Sequence, residues 1–228
     1  MKVTEIGNRL LSAAEFVRQG AYFADVGTDH AYLPLFLLER GIIDRAVCSD
    51  VNEGPLKSAE ANARERGLTE KITFVLTDGA KELSGMGVTD VAICGMGGEL
   101  IRDIIEGAPF LCDRSVRLIL QPMTKQAELR RYLASHGFAT VGESYSYDAG
   151  KYYLCISAEY SGEQRELTPV EAELGRLAAD KEITPAGLGY LKARVNALKR
   201  ALEGKRLGGE DTSYEENILS QINMSQKL

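Results

Sequence analysis

Acidic residues lie within, at the end of or just after three successive apolar runs of the chain, where they are suited to binding a positively charged ligand. Asp25 lies within the run 22–26, Asp50 ends the run 45–50, and Asp78 follows the run 72–76. An unpaired carboxylate inside an apolar strand is unfavourable, so Asp25 needs a cation or several hydrogen-bond donors nearby. S-adenosylmethionine (SAM) carries an ammonium and a sulfonium, whereas NAD carries a pyrophosphate that a carboxylate would repel. Asp25 therefore favours SAM; the alternative is a buried Asp that caps the next helix.

The loop after the first run places backbone N–H groups at the tip of a predicted sheet. Gly27 ends the run, and a helical pattern begins near Tyr32. A strand that turns into a helix N-terminus at the carboxyl edge of an open α/β sheet is a usual ligand-binding position. The loop lacks the G-x-G-x-x-G spacing of dinucleotide-binding proteins. The predicted cofactor-binding residues are Asp25, Gly27, Asp29, Asp50, Val51, Asp78, Gly79, Gly95 and Met96.

Asp50 and Asp78 have specific predicted roles at this edge. Asp50 is placed to accept hydrogen bonds from a ribose diol, and Asp78 to bind an adenine amino group. Asp78-Gly79 is also a common turn sequence. The glycine-rich stretch 95–98 predicts close approach of a ligand to the backbone, or a turn packed against the next helix.

Apolar runs and helical patterns alternate along residues 1–162, which predicts an α/β fold. Strands are expected at 22–26, 45–49, 72–76, 90–94 and 115–120, and helices at 4–18, 33–40, 99–106 and 126–136. The last two strands, 138–144 and 152–160, have no helix between them and should pair antiparallel. The result is a Rossmann-like seven-stranded sheet with its last strand antiparallel.

Residues 163–228 are predicted to form a separate helical segment. Thr168-Pro169-Val170-Glu171 is a capping box that opens a helix to about residue 181. A second helix opens at Thr184-Pro185, a glycine-rich turn follows at 205–211, and a last helix carries Tyr214 and Ile218. Heptad-like spacing predicts a coiled-coil-like helical hairpin with a seam formed by Leu188, Leu191, Val195, Leu198 and Leu202.

A local excess of positive charge in the second of these helices contrasts with the net charge of −6. Six basic residues and one acid lie between Lys192 and Arg206. Such a surface suits a phosphate backbone, although a solvated helix face is the alternative. Arg130, Arg131 and Lys151 are expected to extend this patch. The predicted substrate-binding residues are Arg9, Lys125, Lys192, Arg194, Lys199, Arg200, Lys205 and Arg206.

Composition limits the remaining possibilities. The chain of 228 residues has four cysteines without a C-x-x-C pair and two distant histidines, which argues for a reducing compartment and against a metal site. No signal or membrane-spanning run is apparent, so we expect a cytoplasmic protein that binds no membrane. We expect a monomer, although the helical seam could also pair two chains.

Four segments together resemble the TrmK-type bacterial tRNA methyltransferases. They are 24–34 (ADVGTDHAYLP), 51–55 (VNEGP), 94–98 (CGMGG) and 120–122 (LQP). The resemblance covers the whole chain, although the family often has Glu at position 50 and Ser at position 28. It implies a class I SAM-dependent methyltransferase fold, a C-terminal coiled-coil-like domain that helps to hold tRNA, and methylation of N1 of adenine 22.

The sequence is compatible with that chemistry. The adenine N1 lone pair is itself the nucleophile, so positioning can supply much of the acceleration and no covalent catalyst is needed. Asp29 and His30 are candidates to accept a proton, although His30 could instead cap the helix, and Tyr32 is a candidate to stack on a flipped base. Two alternatives stay open: a SAM enzyme acting on a small molecule, and a non-catalytic RNA-binding protein with a methyltransferase-like fold.

Overall fold

A computed structural model describes residues 4–180 and 182–224, with side chains described up to residue 222. Its strands form a seven-stranded sheet in the order β3-β2-β1-β4-β5-β7-β6. Strands β1 to β5 pair in parallel with one another, whereas β7 is antiparallel to both β5 and β6. The predicted Rossmann-like sheet is thereby confirmed. The strands are β1 (Tyr22–Val26), β2 (Arg45–Asp50), β3 (Ile72–Leu76), β4 (Asp90–Gly97), β5 (Arg117–Thr124), β6 (Phe138–Asp148) and β7 (Lys151–Tyr160).

Helices connect the parallel strands and form the C-terminal segment. They are α1 (Asn8–Ala14), α2 (Tyr32–Glu39), α3 (Glu53–Glu65), α4 (Gly98–Glu106), α5 (Gln126–Ser135), α6 (Pro169–Leu174), α7 (Pro185–Gly208) and α8 (Ser213–Met224). The predicted helix 4–18 is wrong in length, since α1 has only seven residues. The helix predicted from 168 to about 181 ends at Leu174, because the next residue, Gly175, has a φ angle of 56° that is incompatible with a regular helix. The Arg176 N–H then donates to the Glu143 carboxylate. Helix α7 also continues to Gly208, through the first part of the turn predicted at 205–211.

Strands β4 and β5 extend beyond their predicted ends. Their pairing continues with Cys94 opposite Gln121, Met96 opposite Pro122 and Gly97 opposite Thr124. The register shifts on both sides of Met96. A proline lacks the N–H that a regular ladder needs, but it is tolerated beside a bulge. The glycine-rich stretch is therefore mostly strand, and it brings Met96 to the carboxyl edge of the sheet.

Hydrophobic cores cover both faces of the sheet. One core contains Phe23 of β1 with residues of α2. The other contains Val26 and Ile93 and continues into the C-terminal helices. Leu191, Val195 and Leu198 of the predicted seam are buried in this second core, whereas Leu188 and Leu202 are half-buried. The C-terminal helices thus share the hydrophobic core on one face of the sheet. The division into two domains at residue 162 stays a prediction.

A buried ion pair ties the sheet to the C-terminal segment. The Arg130 Nε atom donates to Glu143 Oε1 at 2.6 Å, and both side chains are almost fully buried. Arg130 Nη1 also donates to the carbonyl oxygens of Ala172 and Glu173 at 3.0 and 3.2 Å. The expectation that Arg130 extends a basic surface patch is therefore wrong, because its charge is compensated inside the protein.

Candidate cofactor and substrate site at the carboxyl edge of the sheet

The three predicted acidic residues lie along one edge of the sheet. Strands β1, β2 and β3 are adjacent and parallel, so their carboxyl ends lie side by side. Asp25 is buried within β1, Asp50 ends β2, and Asp78 is exposed just after β3. Asp50 accepts a hydrogen bond from the Asn52 N–H at 2.8 Å, which fixes its orientation. The structure thus brings the acidic residues to one edge as the sequence predicts.

Asp25 has an environment that disfavours its charge when no cation is bound. Burial raises the pKa of Asp25 from 3.8 to about 6, while the Thr28 hydroxyl and the Arg9 guanidinium oppose this shift. Asp50 raises the pKa further by repulsion. At neutral pH the carboxylate is still mostly ionised, and a cation beside it would relieve the unfavourable burial.

Along the same edge, buried hydroxyls lack hydrogen-bond partners and apolar side chains are exposed to solvent. The hydroxyls of Ser49 and Thr77 are buried and have no hydrogen-bond partner within the described residues. Val51, Leu76 and Leu100 are each at least half exposed. Buried polar atoms without partners are uncommon in native proteins, so these hydroxyls are available to a bound group or an ordered water. Together with Asp25, these atoms fit a ligand that is cationic, hydroxylated and partly apolar, as SAM is.

A small cavity beside the end of β3 suits the adenine part of such a ligand. It has a volume of about 270 Å³ and lies between the loop after β3 and helix α4. Asp78 and Gly79 line one side, and Leu100 and Ile104 line the other. The lining also includes Lys81 and Asp103, so the cavity combines charged and apolar side chains next to the predicted adenine-binding residue.

Gly27 and Gly95 hold the backbone of this edge in left-handed conformations, with φ angles of 76° and 79°. A Cβ atom added at Gly27 would lie 2.0 Å from Met96 Cε, so a side chain there would displace Met96. A Cβ atom at Gly95 would lie 3.6 Å from Arg9 Nη1. These two glycines thus allow the loops after β1 and within β4 to approach each other.

The predicted catalytic residues form an exposed cluster at the tip of β1. Asp29 Oδ2 lies 3.5 Å from His30 Nε2, and the Asp29 side chain is 81% exposed. The His30 and Tyr32 rings stack with centroids 5.1 Å apart. Asn62 donates a hydrogen bond of 3.0 Å to the His30 carbonyl and anchors the loop. The cluster is open to solvent and accessible to a large substrate.

Arg9, predicted to bind substrate, reaches from α1 to the ends of β4 and β5. Its guanidinium donates to the Gln121 side-chain oxygen, and Gln121 Nε2 donates back to the Arg9 carbonyl at 2.8 Å. Gln121 is fully buried. The sequence identified the motif 120–122 but not Gln121 as a site residue; a buried amide at a strand end was the available signal.

Comparison with known proteins identifies the family. A family model described as a methyltransferase domain matches residues 6–156. The tRNA (adenine(22)-N(1))-methyltransferase of Bacillus subtilis (strain 168) is 31% identical over 159 residues, which cover 70% of this chain and 67% of that protein. The chain belongs to the tRNA (adenine(22)-N(1))-methyltransferase family.

Solved structures of similar proteins cover nearly the whole chain. Streptococcus pneumoniae Sp1610, a proposed tRNA (m1A22) methyltransferase crystallised with SAM, has a TM-score of 0.79 and 38% identity, covering 94% of this chain and 100% of that chain. M. capricolum TrmK in complex with S-adenosyl-homocysteine has a TM-score of 0.72 and 26% identity, covering 96% and 94% of the two chains. The cofactor class of this methyltransferase family is therefore SAM.

Apart from Arg9, the basic residues predicted to bind substrate divide into two groups in this family member. Lys192, Lys199 and Arg200 are exposed, and none forms an ion pair with another residue of the described ranges. The other four form ion pairs: Arg194 with Glu173, Lys205 with Glu215, Arg206 with Glu216, and Lys125 with Glu128. These pairs leave a smaller basic surface than the sequence suggests.

Two general features concern residues 4–180 and 182–224 only. No helix in these ranges is long and apolar enough to cross a membrane. No group of three or more His, Cys, Asp or Glu side chains in them is arranged to hold a metal ion. The absence of a metal requirement, the cytoplasmic location and the monomeric state stay predictions.

Proposed function

We propose that this protein transfers the methyl group of SAM to N1 of adenine 22 in tRNA. The observation that carries the proposal is the single sheet edge at which the buried Asp25 and the exposed Asp29 cluster lie together. The Bacillus subtilis relative is named for this reaction. The Streptococcus pneumoniae protein, 38% identical, was crystallised with SAM.

The residues of the edge can be assigned to parts of the cofactor. Bound SAM supplies an electrophilic methyl group on a positively charged sulfur. Asp25 compensates positive charge, Asp50 and Val51 hold the ribose, and Asp78 with Gly79 holds the adenine. The remaining cofactor residues, Gly27, Asp29, Gly95 and Met96, shape the loops around the methionine part. These are proposals, based on strand-end position and burial.

The catalytic residues then act on the substrate base. Tyr32 stacks on the adenine and orients it for in-line attack by its N1 lone pair. The N1–methyl bond forms as the sulfur–methyl bond breaks, and the positive charge passes to the adenine. Asp29, with His30 beside it at 3.5 Å, accepts the proton that the methylated adenine loses when it becomes neutral.

The C-terminal segment is proposed to hold the tRNA. Lys192, Lys199 and Arg200 present positive charge on the surface of α7, and Arg9 and Lys125 lie at the catalytic edge. We propose that residues 1–162 bind SAM and 163–228 support tRNA, in a cytoplasmic monomer that needs no metal.

Mass spectrometry of nucleosides tests the reaction directly. Purified protein is incubated with SAM and unmodified tRNA, and 1-methyladenosine is expected in digests of the product. A tRNA with guanine at position 22 is expected to give none. If the protein is stabilised by SAM in a thermal-shift assay but forms no 1-methyladenosine, a small-molecule substrate is favoured. If SAM does not stabilise it, a non-catalytic role is favoured.

A further inference from the structure

Two exposed tyrosines flank the tight turn between β6 and β7. Tyr147 and Tyr152 are paired across the hairpin, next to the last pair of residues before the turn, which contains Ala149 and Gly150. The two residues are 51% and 39% exposed, and their ring centroids are 4.8 Å apart. An exposed aromatic pair is unfavourable in water and often marks a binding surface.

The hairpin tip lies at the same edge of the sheet as the candidate site. Strand β7 runs antiparallel to β5, so β7 begins where β5 ends. The Arg9 N–H donates to Asp148 Oδ2 at 3.0 Å, and Asn8 donates to the Tyr147 carbonyl at 3.0 Å. Arg9 in turn contacts Gln121 and influences Asp25. One residue of α1 thus connects the tyrosine pair to the cofactor edge.

The same pair reaches helix α7. A Cβ atom added at Gly189 would lie 2.2 Å from the Tyr152 ring, so this ring packs directly on the α7 backbone. Lys192 follows Gly189 by three residues, which places both on one side of the helix. Lys192 and Lys151 are exposed. The tyrosines therefore lie between the catalytic edge and the basic surface of α7, with cations on both sides.

A groove of about 880 Å³ opens beside the tyrosines, between α1, the β6–β7 hairpin and the start of α7. Near the hairpin tip its walls include Asn8, Ser12 and Ser146. The carboxylates that line the groove include Glu15, which accepts a hydrogen bond from the Ser144 hydroxyl farther from the tip. The remaining acidic residues of the lining are Glu143, Asp180 and Glu182. These acids disfavour a phosphate inside the groove, whereas an uncharged base fits its polar, aromatic end.

We propose that Tyr147 and Tyr152 form a stacking surface for an unpaired base of the RNA substrate. Single-stranded bases of RNA are commonly bound by stacking on aromatic side chains beside a basic surface. The stacked base would fix the RNA between α7 and the catalytic edge and so help to place the target adenine. This inference rests on the proposed function, since it assigns a further contact to the same substrate.

Binding of tRNA to three variants tests the contact. Tyr147→Ala is expected to raise the Kd for tRNA by about 5- to 100-fold, the usual effect of removing one stacked aromatic ring. Tyr147→Phe, which keeps the ring, should recover most of the affinity. Val141→Ala, exposed on the same strand, should bind as the wild type does. Because stacking involves no counterion release, the salt dependence of Tyr147→Ala should match that of the wild type.

A fluorescence measurement gives a second readout. The chain contains no tryptophan, so Tyr147→Trp introduces a single reporter at the proposed surface. We expect tRNA to quench its emission, and to quench a Val141→Trp control much less. Equal quenching in both, or unchanged tRNA affinity in Tyr147→Ala, would overturn the stacking surface alone. Absence of 1-methyladenosine with the wild type would instead refute the proposed function, while the binding data still judge the stacking surface. No tRNA binding at all would refute both.

Discussion

Asp25 is the buried carboxylate of the candidate site, and its ionisation links protein stability to cofactor binding. Its pKa is raised from 3.8 in the usual case to about 6. The native state therefore binds this proton more tightly than the unfolded state does. The resulting stabilisation is complete below about pH 4 and is lost as the pH rises through about 6. A bound cation would reverse this preference, because it stabilises the ionised form.

We predict that SAM binds more tightly as the pH rises from 5 to 7. Binding to the ionised carboxylate should weaken by up to about tenfold per pH unit below the pKa of Asp25. Isothermal titration calorimetry at several pH values measures this directly. Asp25→Asn, which has no ionisable group, should bind SAM weakly and with little pH dependence in this range. A wild-type affinity that stays constant from pH 5 to 7 would contradict the role given to Asp25.

Asp29 is predicted to act mainly on the chemical step. Its side chain is exposed beside His30 rather than buried against the strands, so its loss should disturb the fold little. We expect Asp29→Asn to lower kcat by about 10²-fold, the lower end of the range for a general base. His30→Ala should have a smaller effect. Single-turnover assays with saturating SAM and tRNA separate an effect on the chemical step from an effect on binding. An unchanged kcat in Asp29→Asn would exclude Asp29 as the proton acceptor.

At the scale of elements, the start of α4 is packed directly on the end of β5. A Cβ atom at Gly98 would lie 2.6 Å from the Lys125 carbonyl oxygen and 2.9 Å from that of Thr124. Because these are backbone atoms, Gly98→Ala must move one element away from the other. We predict a loss of about 1–3 kcal/mol in the free energy of unfolding, as for other overpacked sites.

A second glycine provides the matched control for Gly98. Gly204 lies within α7, and a Cβ atom there would meet nothing within 4 Å. Alanine is the better helix former, so Gly204→Ala should stabilise the protein by about 0.5–1 kcal/mol. Urea denaturation measures both variants. Destabilisation of similar size in both would mean that contact with the Lys125 backbone is not the cause.

The order of the elements could be predicted because apolar runs and helical periods are local properties of the chain. The acidic residues of the candidate site could be found for the same reason, since each follows a recognisable strand. The ends of β4 and β5 were missed because Gly95 and Pro122 normally interrupt strands, and only their position beside a bulge makes them compatible with pairing. Local sequence does not report such a register shift.

Long-range pairing accounts for the other errors. Arg130 and Arg194 look like surface cations in sequence, but Glu143 and Glu173 neutralise them in the folded protein. Neither acid lies in the same helix as its arginine. The partner of a charged residue depends on tertiary packing, so a basic stretch alone overestimates the surface available to RNA.

For the whole molecule, the pair formed by Arg130 and Glu143 couples the sheet to the C-terminal helices. Glu143 also accepts hydrogen bonds from the Tyr145 hydroxyl and the Arg176 N–H, at 2.5 and 3.0 Å. Arg130→Ala would leave this carboxylate buried without its cation, and we predict a loss of about 3–5 kcal/mol in stability. Arg64→Ala, which removes an exposed pair with Glu60, should lose less than about 1 kcal/mol. Chemical denaturation measures the stability of both variants. Equal losses would contradict the role of the buried pair between Arg130 and Glu143.

The distribution of charge over the molecule explains how a protein with a net charge of −6 can bind an anionic substrate. Among residues 4–180 and 182–224, Lys192, Lys199 and Arg200 lie exposed on α7 and form no ion pair, so their positive charge is available to a partner. Each phosphate contact contributes somewhat less than one unit to the slope of log K against log salt concentration. We therefore predict that reversing Lys199 and Arg200 to Glu weakens tRNA binding and makes this slope shallower by about 1–2 units.

The matched control for this charge reversal is Lys71→Glu. Lys71 is exposed and directly precedes β3, at the end of the sheet opposite the candidate site. Reversing it changes the net charge of the protein but not the surface of α7. Filter-binding titrations between low and physiological salt should show a wild-type slope for this variant. If Lys71→Glu and the α7 variant lose the same slope per charge, the protein attracts tRNA through its overall field, and α7 has no special part in binding.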